Sequence, residues 1–339
     1  MPIRISQRDL AREAGVHHST VSRALKNDKR ITVQVRAKIK AAAARLGYSP
    51  DPMLSSLAAY RNQKQVHQNQ GTIAWLTNFP TCDGWKEFQN IDYFNGASRR
   101  AAELGYSLDE IWMREPGLKP ERLTQILLSR NVCGILLPTQ PKARVRLKLD
   151  WSKFTAVSFG STVFWPPLRT IDCDHFRCMG SLMRRVKKLG YRRPGFFCLS
   201  STHEAVDRNW VAAFLTFQPR SLNNKFIPPL VENLPNATSF NRWFQKYKPD
   251  VVIAQFEVVA DWIRALGFRV PEDVGFALAA KHDRFSDFSG MDENSSLIGQ
   301  AGVDLLVDLI NRGERGIPSI PTTTLVRGSW IEGNSLRHQ

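Results

Sequence analysis

The sequence predicts a small all-α helix-turn-helix unit joined to a much larger α/β body, and three observations carry that reading. First, residues 1–64 hold 13 Lys/Arg against 4 acids, or +9 of the chain's +16, leaving +7 for all the rest. Second, two short apolar stripes in that segment are separated by a turn at Gly15. Third, apolar runs alternate with amphipathic stretches from Thr72 onward, the pattern of parallel strands covered by helices. A length of 339 residues suits two or three domains.

Composition narrows the function classes. Positive charge concentrated in one short segment is the footprint of a polyanion-binding module. No apolar run approaches the ~20 residues that span a bilayer, and the segment Met1-Pro2-Ile3-Arg4-Ile5-Ser6 has no apolar core of a secretory signal. Cys82, Cys133, Cys173, Cys178 and Cys198 are odd in number and contain no C-x-x-C pair. They predict a reduced cytoplasmic protein with no disulfide framework, no metal and no cofactor. No phosphate loop, dinucleotide fingerprint, zinc-protease helix or nucleophile elbow occurs. An enzyme is therefore not expected, and no catalytic residue is assigned. Asp172-Cys173-Asp174-His175 reads as loop chemistry rather than a catalytic or metal site.

Along the head segment, Ser6 and Asp9 have capping-box spacing, and Leu10, Ala11 and Ala14 form the first apolar stripe, stopped by Gly15. A second short helix runs from His18 to Leu25, with Val21 and Leu25 on its buried face. The second helix of such a pair enters the major groove. His18, Ser19, Ser22 and Arg23, near its start, are the candidate base readers, and Arg suits guanine bidentately. Arg4, Thr20, Lys26, Lys29 and Arg30 are candidates for holding phosphates. Thr32 caps a third helix carrying Val35, Ile39, Ala42, Ala43 and Leu46, closed by Gly47. Asp51 with Pro52 then starts another short helix, whose Met53, Leu54 and Leu57 need a partner to bury them. Residues 62–71 are polar and aperiodic, a linker.

These motifs resemble, in order and spacing, the head-piece of the lactose/galactose/purine repressor (LacI-type) family of bacterial transcription regulators. The resemblance rests on Arg8-Asp9-Leu10-Ala11-Arg12-Glu13-Ala14-Gly15-Val16, on Ser19-Thr20-Val21-Ser22-Arg23-Ala24-Leu25, and on Leu46-Gly47-Tyr48-Ser49-Pro50. It implies a helix-turn-helix domain over 1–50, a hinge helix over 51–61 that inserts Leu57 into the minor groove, and a two-lobed domain over 72–339. That last domain should resemble the type I periplasmic-binding-protein fold, bind a small-molecule effector and form a homodimer. The implied partners are a roughly palindromic double-stranded operator and a carbohydrate effector, with no membrane. His17, where the family has a Ser or Thr cap, Asp51 and Leu54 depart from the family pattern.

In the body, strands are expected at Thr72–Leu76, Ser107–Met113, Gly134–Pro138, Thr155–Gly160, Gly195–Leu199, Val251–Gln255 and Gly275–Ala280. Helices are expected at Tyr93–Leu104, Pro120–Arg130, Met179–Leu189, Glu204–Phe217, Val258–Leu266 and about Leu297–Asn311. Ligands of open α/β sheets sit at the carboxyl ends of strands. That selects Asn78, Phe79 and Trp85 after the first strand, Glu257 just after the Val251–Gln255 strand, and Glu293 in the loop before the helix at about Leu297–Asn311. The family resemblance adds Arg208, where the family has an Arg that commonly contacts effector. An Arg, carboxylates and aromatic faces suit a sugar. Two of these have alternatives: Arg208 an ion pair with Glu204 four residues earlier on one helix, and Trp85 a place in the core.

Overall fold

The computed structural model describes residues 6–25, 28, 30–46, 48, 70–86, 89–218, 226–281 and 287–338. Arg4, Lys26, Lys29 and the 51–61 segment with Met53, Leu54 and Leu57 lie outside them, as does the linker up to residue 69.

The head consists of α1 (Gln7–Ala14), α2 (His18–Leu25) and α3 (Val33–Leu46). Asp9 serves as the acid of the expected capping box: its backbone N–H donates to Ser6 Oγ at 3.3 Å, and the Ser6 N–H donates to Asp9 Oδ2 at 2.8 Å. Gly15 ends α1 with φ 64°, a left-handed conformation that costs glycine little. Leu10, Ala11 and Ala14 of α1, Val21 and Ala24 of α2, and Ile39 and Ala42 of α3 form one buried cluster, so all three helices contribute to the same small core. An ion pair between Arg45 and Glu13 ties α3 to α1.

Among the described residues the body has fourteen strands. They are β1 (Gly71–Thr77), β2 (Tyr106–Trp112), β3 (Val132–Leu137), β4 (Val145–Arg146), β5 (Thr155–Phe159), β6 (Val163–Trp165), β7 (Arg169–Cys173), β8 (Pro194–Leu199), β9 (Leu230–Glu232), β10 (Val251–Ala254), β11 (Gly275–Leu278), β12 (Ser289–Asp292), β13 (Thr323–Val326) and β14 (Ser329–Ile331). One six-stranded sheet has the order β13-β7-β5-β3-β1-β2 and is wholly parallel. The other has the order β14-β12-β11-β10-β8-β9, with only β14 antiparallel to its neighbour. The helices are α4 (Gln89–Glu103), α5 (Pro120–Ser129), α6 (His175–Lys188), α7 (Ser200–Ala205), α8 (Asn209–Phe217), α9 (Ala237–Tyr247), α10 (Val258–Ala265) and α11 (Ser295–Arg312).

Neither sheet is built from contiguous chain. The backbone passes between them after Cys173 of β7, after Asp292 of β12, and between Val326 of β13 and Ser329 of β14. The three crossings are hydrogen-bonded to one another. Asp174 N–H donates to the Val326 carbonyl at 2.8 Å, Asn294 Nδ2 to the Arg327 carbonyl at 2.8 Å, and Gly328 N–H to Cys178 Sγ at 3.3 Å. α11 returns to the first sheet and lies against α4. A Cβ on Gly96 would stand 2.0 Å from the Ser296 carbonyl oxygen, and one on Gly299 2.0 Å from that of Tyr93. Only hydrogen permits that approach.

All seven expected strands are present, but the expected helix over Glu204–Phe217 is two. Asp207 and Arg208 take φ 47° and 62°, so the chain breaks between α7 and α8 and re-enters helix at Asn209. Seven further strands, β4, β6, β7, β9, β12, β13 and β14, and helix α9 were not expected from the sequence. These strands are two to five residues long, most are interrupted by polar residues, and β13 is largely exposed, so no buried apolar run marks them.

Candidate nucleic-acid interface and ligand cleft

On the head, α2 buries Val21 and Ala24, which turns the start of the helix outward. His18, Ser19 and Arg23 are exposed, and Thr20 and Ser22 half-buried. The entry of this helix is fixed by His17. The Ser19 backbone N–H donates to His17 Nδ1 at 3.4 Å, and Ser19 Oγ stands 2.8 Å from the same nitrogen. His17 thus takes the capping task that a hydroxyl performs in most helices. Arg30 is held by Asp28, with Arg30 Nη2 2.7 Å from Oδ2, and this ion pair draws the Asp28 carboxyl down to about 2.

The body contains a cavity of about 590 Å³ at the carboxyl ends of the parallel strands of both sheets. From the first sheet it receives Phe79–Thr81 after β1, Thr139–Pro141 after β3, Gly160 and Thr162 after β5, and Asp172 near the end of β7. From the second it receives Leu199, Ser201 and Thr202 after β8, Gln255 and Phe256 after β10, and Ala280 after β11. Asn90, His175, Trp210 and Glu293 complete the polar and aromatic lining. Among the described residues that line it there are two carboxylates and no Lys or Arg.

Local hydrogen bonds fix several of these groups. Gln255 Oε1 accepts the Leu199 N–H and its Nε2 donates to Thr202 Oγ1, both at 2.8 Å. Gln140 Nε2 donates to the Pro138 carbonyl at 2.7 Å, which leaves Gln140 Oε1 buried without a partner. His175 lies between two carboxylates: Nε2 is 3.3 Å from Asp172 Oδ1, and Nδ1 is 3.1 Å from Glu293 Oε1. Its ring meets the Trp210 ring edge-on at 5.8 Å. Burial alone would lower the His175 pKa, but the Glu293 and Asp172 carboxylates outweigh it and push it well above the ordinary imidazole range. Tyr93 is shifted in the same direction. Burial first, then the same two carboxylates and Cys173, raise its phenol well above the usual value.

Of the residues selected by sequence, Phe79 and Glu293 line the cavity and Asn78, Trp85, Arg208 and Glu257 do not. Asn78 Oδ1 instead accepts from Arg114 Nε at 3.1 Å. Trp85 is core, packed against Trp75 and Phe94 at 5.6 and 4.9 Å. Arg208 is exposed at the break between α7 and α8, and Glu257 stands just before α10. The sequence reading set aside Asp172 and His175 as loop chemistry, and the structure brings both to the cavity with Glu293. Their partner lies more than a hundred residues away in the chain, so no local spacing pointed to it.

Comparison with known proteins agrees with both halves. A family model described as "Bacterial regulatory proteins, lacI family" matches residues 7–51. The ribose operon repressor of Escherichia coli (strain K12) is 29% identical over 161 residues, 44% of this chain and 45% of that protein. The HTH-type transcriptional regulator GntR of the same strain is 29% identical over 143 residues, 42% of this chain and 39% of that protein. These matches span less than half the length of either curated relative. Among solved structures, the lac repressor dimer bound to operator and the anti-inducer ONPF superposes with a TM-score of 0.57 at 18% identity, covering 98% of this chain and 99% of that one. The transcriptional regulator CelR–cellobiose complex gives 0.56 at 19% identity, covering 98% and 100%. A LacI-family regulator from Rhizobium etli gives 0.60 at 18% identity, covering 78% and 99%. These likenesses establish the shared fold.

Proposed function

We propose that this chain, a member of the LacI family of bacterial regulatory proteins, is a cytoplasmic, sequence-specific DNA-binding repressor controlled by a small molecule in the cleft between its sheets. The observation that carries the reading is the exposed start of α2, held by a His17 cap on a three-helix core. His18, Ser19, Ser22 and Arg23 read base edges, and Arg4, Thr20, Lys26, Lys29 and Arg30 hold phosphates. Two copies of the chain present two such helices to successive major grooves of a roughly palindromic operator. The 1–50, 51–61, 62–71 and 72–339 divisions act as reader, hinge, linker and sensor. In the hinge, Met53 and Leu54 flank Leu57, the minor-groove wedge.

The cleft supports a carbohydrate effector through its polar side chains and aromatic faces. Phe79 and Trp210 offer aromatic surface, and Asn90, Gln140 and Glu293 offer the donors and acceptors that hydroxyls require. The mechanism is binding alone: lobe closure and DNA affinity are linked, and no substrate is transformed. Linkage gives the test. Sugars that raise the melting temperature of the full chain should change its affinity for duplex DNA, and that duplex should change their affinity by the same factor. A sugar that binds tightly and leaves DNA affinity untouched would sink the sensor role.

A further inference from the structure

We propose that Cys173, His175 and Glu293 form a binding site for a divalent metal ion of the zinc class. One ligand atom from each, a sulfur, an imidazole nitrogen and a carboxylate oxygen, lies within 4.8 Å of the other two, and all three residues are buried. A mixed sulfur, nitrogen and oxygen set suits zinc, whereas magnesium and calcium take oxygen.

The polar atoms at this spot are short of partners. His175 Nδ1 is 3.1 Å from Glu293 Oε1 but is not aligned for a hydrogen bond, and Glu293 Oε2 has no hydrogen-bond partner. Both side chains are only 4% exposed. Tyr93 Oη, which feels the charges of Glu293, Asp172 and Cys173, is a third buried polar atom without a partner. Native interiors leave few such atoms, so three gathered around one point need a common explanation. A cation coordinated by Nδ1 and the Glu293 carboxylate supplies one for two of them directly.

The surroundings have the form of a metal site beyond its ligands. Asp172 Oδ1 lies 3.3 Å from His175 Nε2, on the opposite side of the ring from Glu293. Asp172 is itself held, accepting the Cys173 N–H at 2.8 Å and Ser161 Oγ–H at 3.1 Å. A carboxylate that fixes the far nitrogen of a histidine orients its near nitrogen for a metal. His175 and Glu293 also line the cavity, which gives an ion its path of entry and leaves a fourth position facing the cleft. Cys173 and His175 flank the first crossing between the sheets and Glu293 the second. An ion here joins two of the three hinge segments, so its occupancy biases the arrangement of the lobes.

The competing arrangement has a protonated His175 alone balancing the two carboxylates. Zinc titration of the full chain, reduced and stripped of metal, against a chromophoric chelator separates the two. We expect one zinc per chain, bound with a submicromolar Kd, and in cobalt a thiolate-to-metal charge-transfer band. Cys173→Ser should abolish the band, Glu293→Gln should weaken binding at least tenfold, and Cys82→Ser, which alters the one fully exposed thiol among the described cysteines, should change neither. Unaltered circular dichroism of Glu293→Gln keeps the test independent of whether Cys173→Ser folds. Absence of stoichiometric zinc, or zinc binding that survives both Cys173→Ser and Glu293→Gln, overturns the proposal.

Discussion

His17 Nδ1 accepts the backbone N–H of Ser19 at 3.4 Å and lies 2.8 Å from Ser19 Oγ, so an imidazole caps α2. Accepting that N–H requires an unprotonated Nδ1. His17→Ala should remove the cap and destabilise the head by about 1 kcal/mol, while His17→Ser should restore most of it, as side-chain oxygens are effective caps. Urea unfolding followed by head-specific hydrogen exchange measures both. Equal stability of wild type and His17→Ala would show that the cap contributes nothing.

Asp28 holds Arg30, and each fixes the other's charge state. A carboxyl lowered to about 2 in the folded protein stabilises it above the ordinary carboxylate range. That contribution is lost as pH falls through the folded value, because the unfolded chain binds the proton first. In an NMR titration, the Asp28 carboxyl should remain ionised after exposed carboxylates have protonated. Asp28→Asn also frees Arg30 for phosphate, and should tighten DNA binding several-fold at low salt. Weaker binding would mean that the ion pair shapes the interface instead.

Arg23 is exposed one turn into α2, on the side opposite Val21 and Ala24. If it pairs with guanine, Arg23→Ala should cost about 1–3 kcal/mol on the cognate site and relax selectivity at one base position per half-site. Loss of affinity uniform across sequences, with a shallower salt dependence, would reassign it to phosphate.

Gly299 meets the Tyr93 carbonyl oxygen so closely that α4 and α11 have no space for a methyl group between them. Gly299→Ala should force the helices apart and destabilise the body by about 1–3 kcal/mol or more, since backbone cannot yield as a side chain does. Thermal unfolding reports this directly. A variant as stable as wild type would show that α11 shifts freely on the sheet.

The head and the body were unequally legible in the sequence. Ser6, Asp9 and Gly15 act through neighbours three or four residues away, so spacing alone disclosed the capped helix and its stop. Of the seven expected strands, β1, β3, β5, β8, β10 and β11 are mostly apolar and buried, and were equally plain. β12, β13 and β14 were not, being short segments held by pairing with distant strands. The cleft was least legible. Trp85 has the composition of a ligand-stacking residue but fills the core beside Trp75, whereas Trp210 faces the cavity. Asp172 and His175 gain meaning only from Glu293, which the second crossing brings to them. His17, a departure from the family's hydroxyl, proved to retain the hydroxyl's task by a different atom.

On the proposed function, two copies of the head read one symmetric DNA sequence. Selection of bound duplexes from a random pool by the full chain tests it most directly. We expect a motif with two-fold symmetry, its half-sites about one helical turn apart, in which Arg23→Ala relaxes one base position of each half-site. An asymmetric motif, or enrichment without any sequence preference, would contradict it.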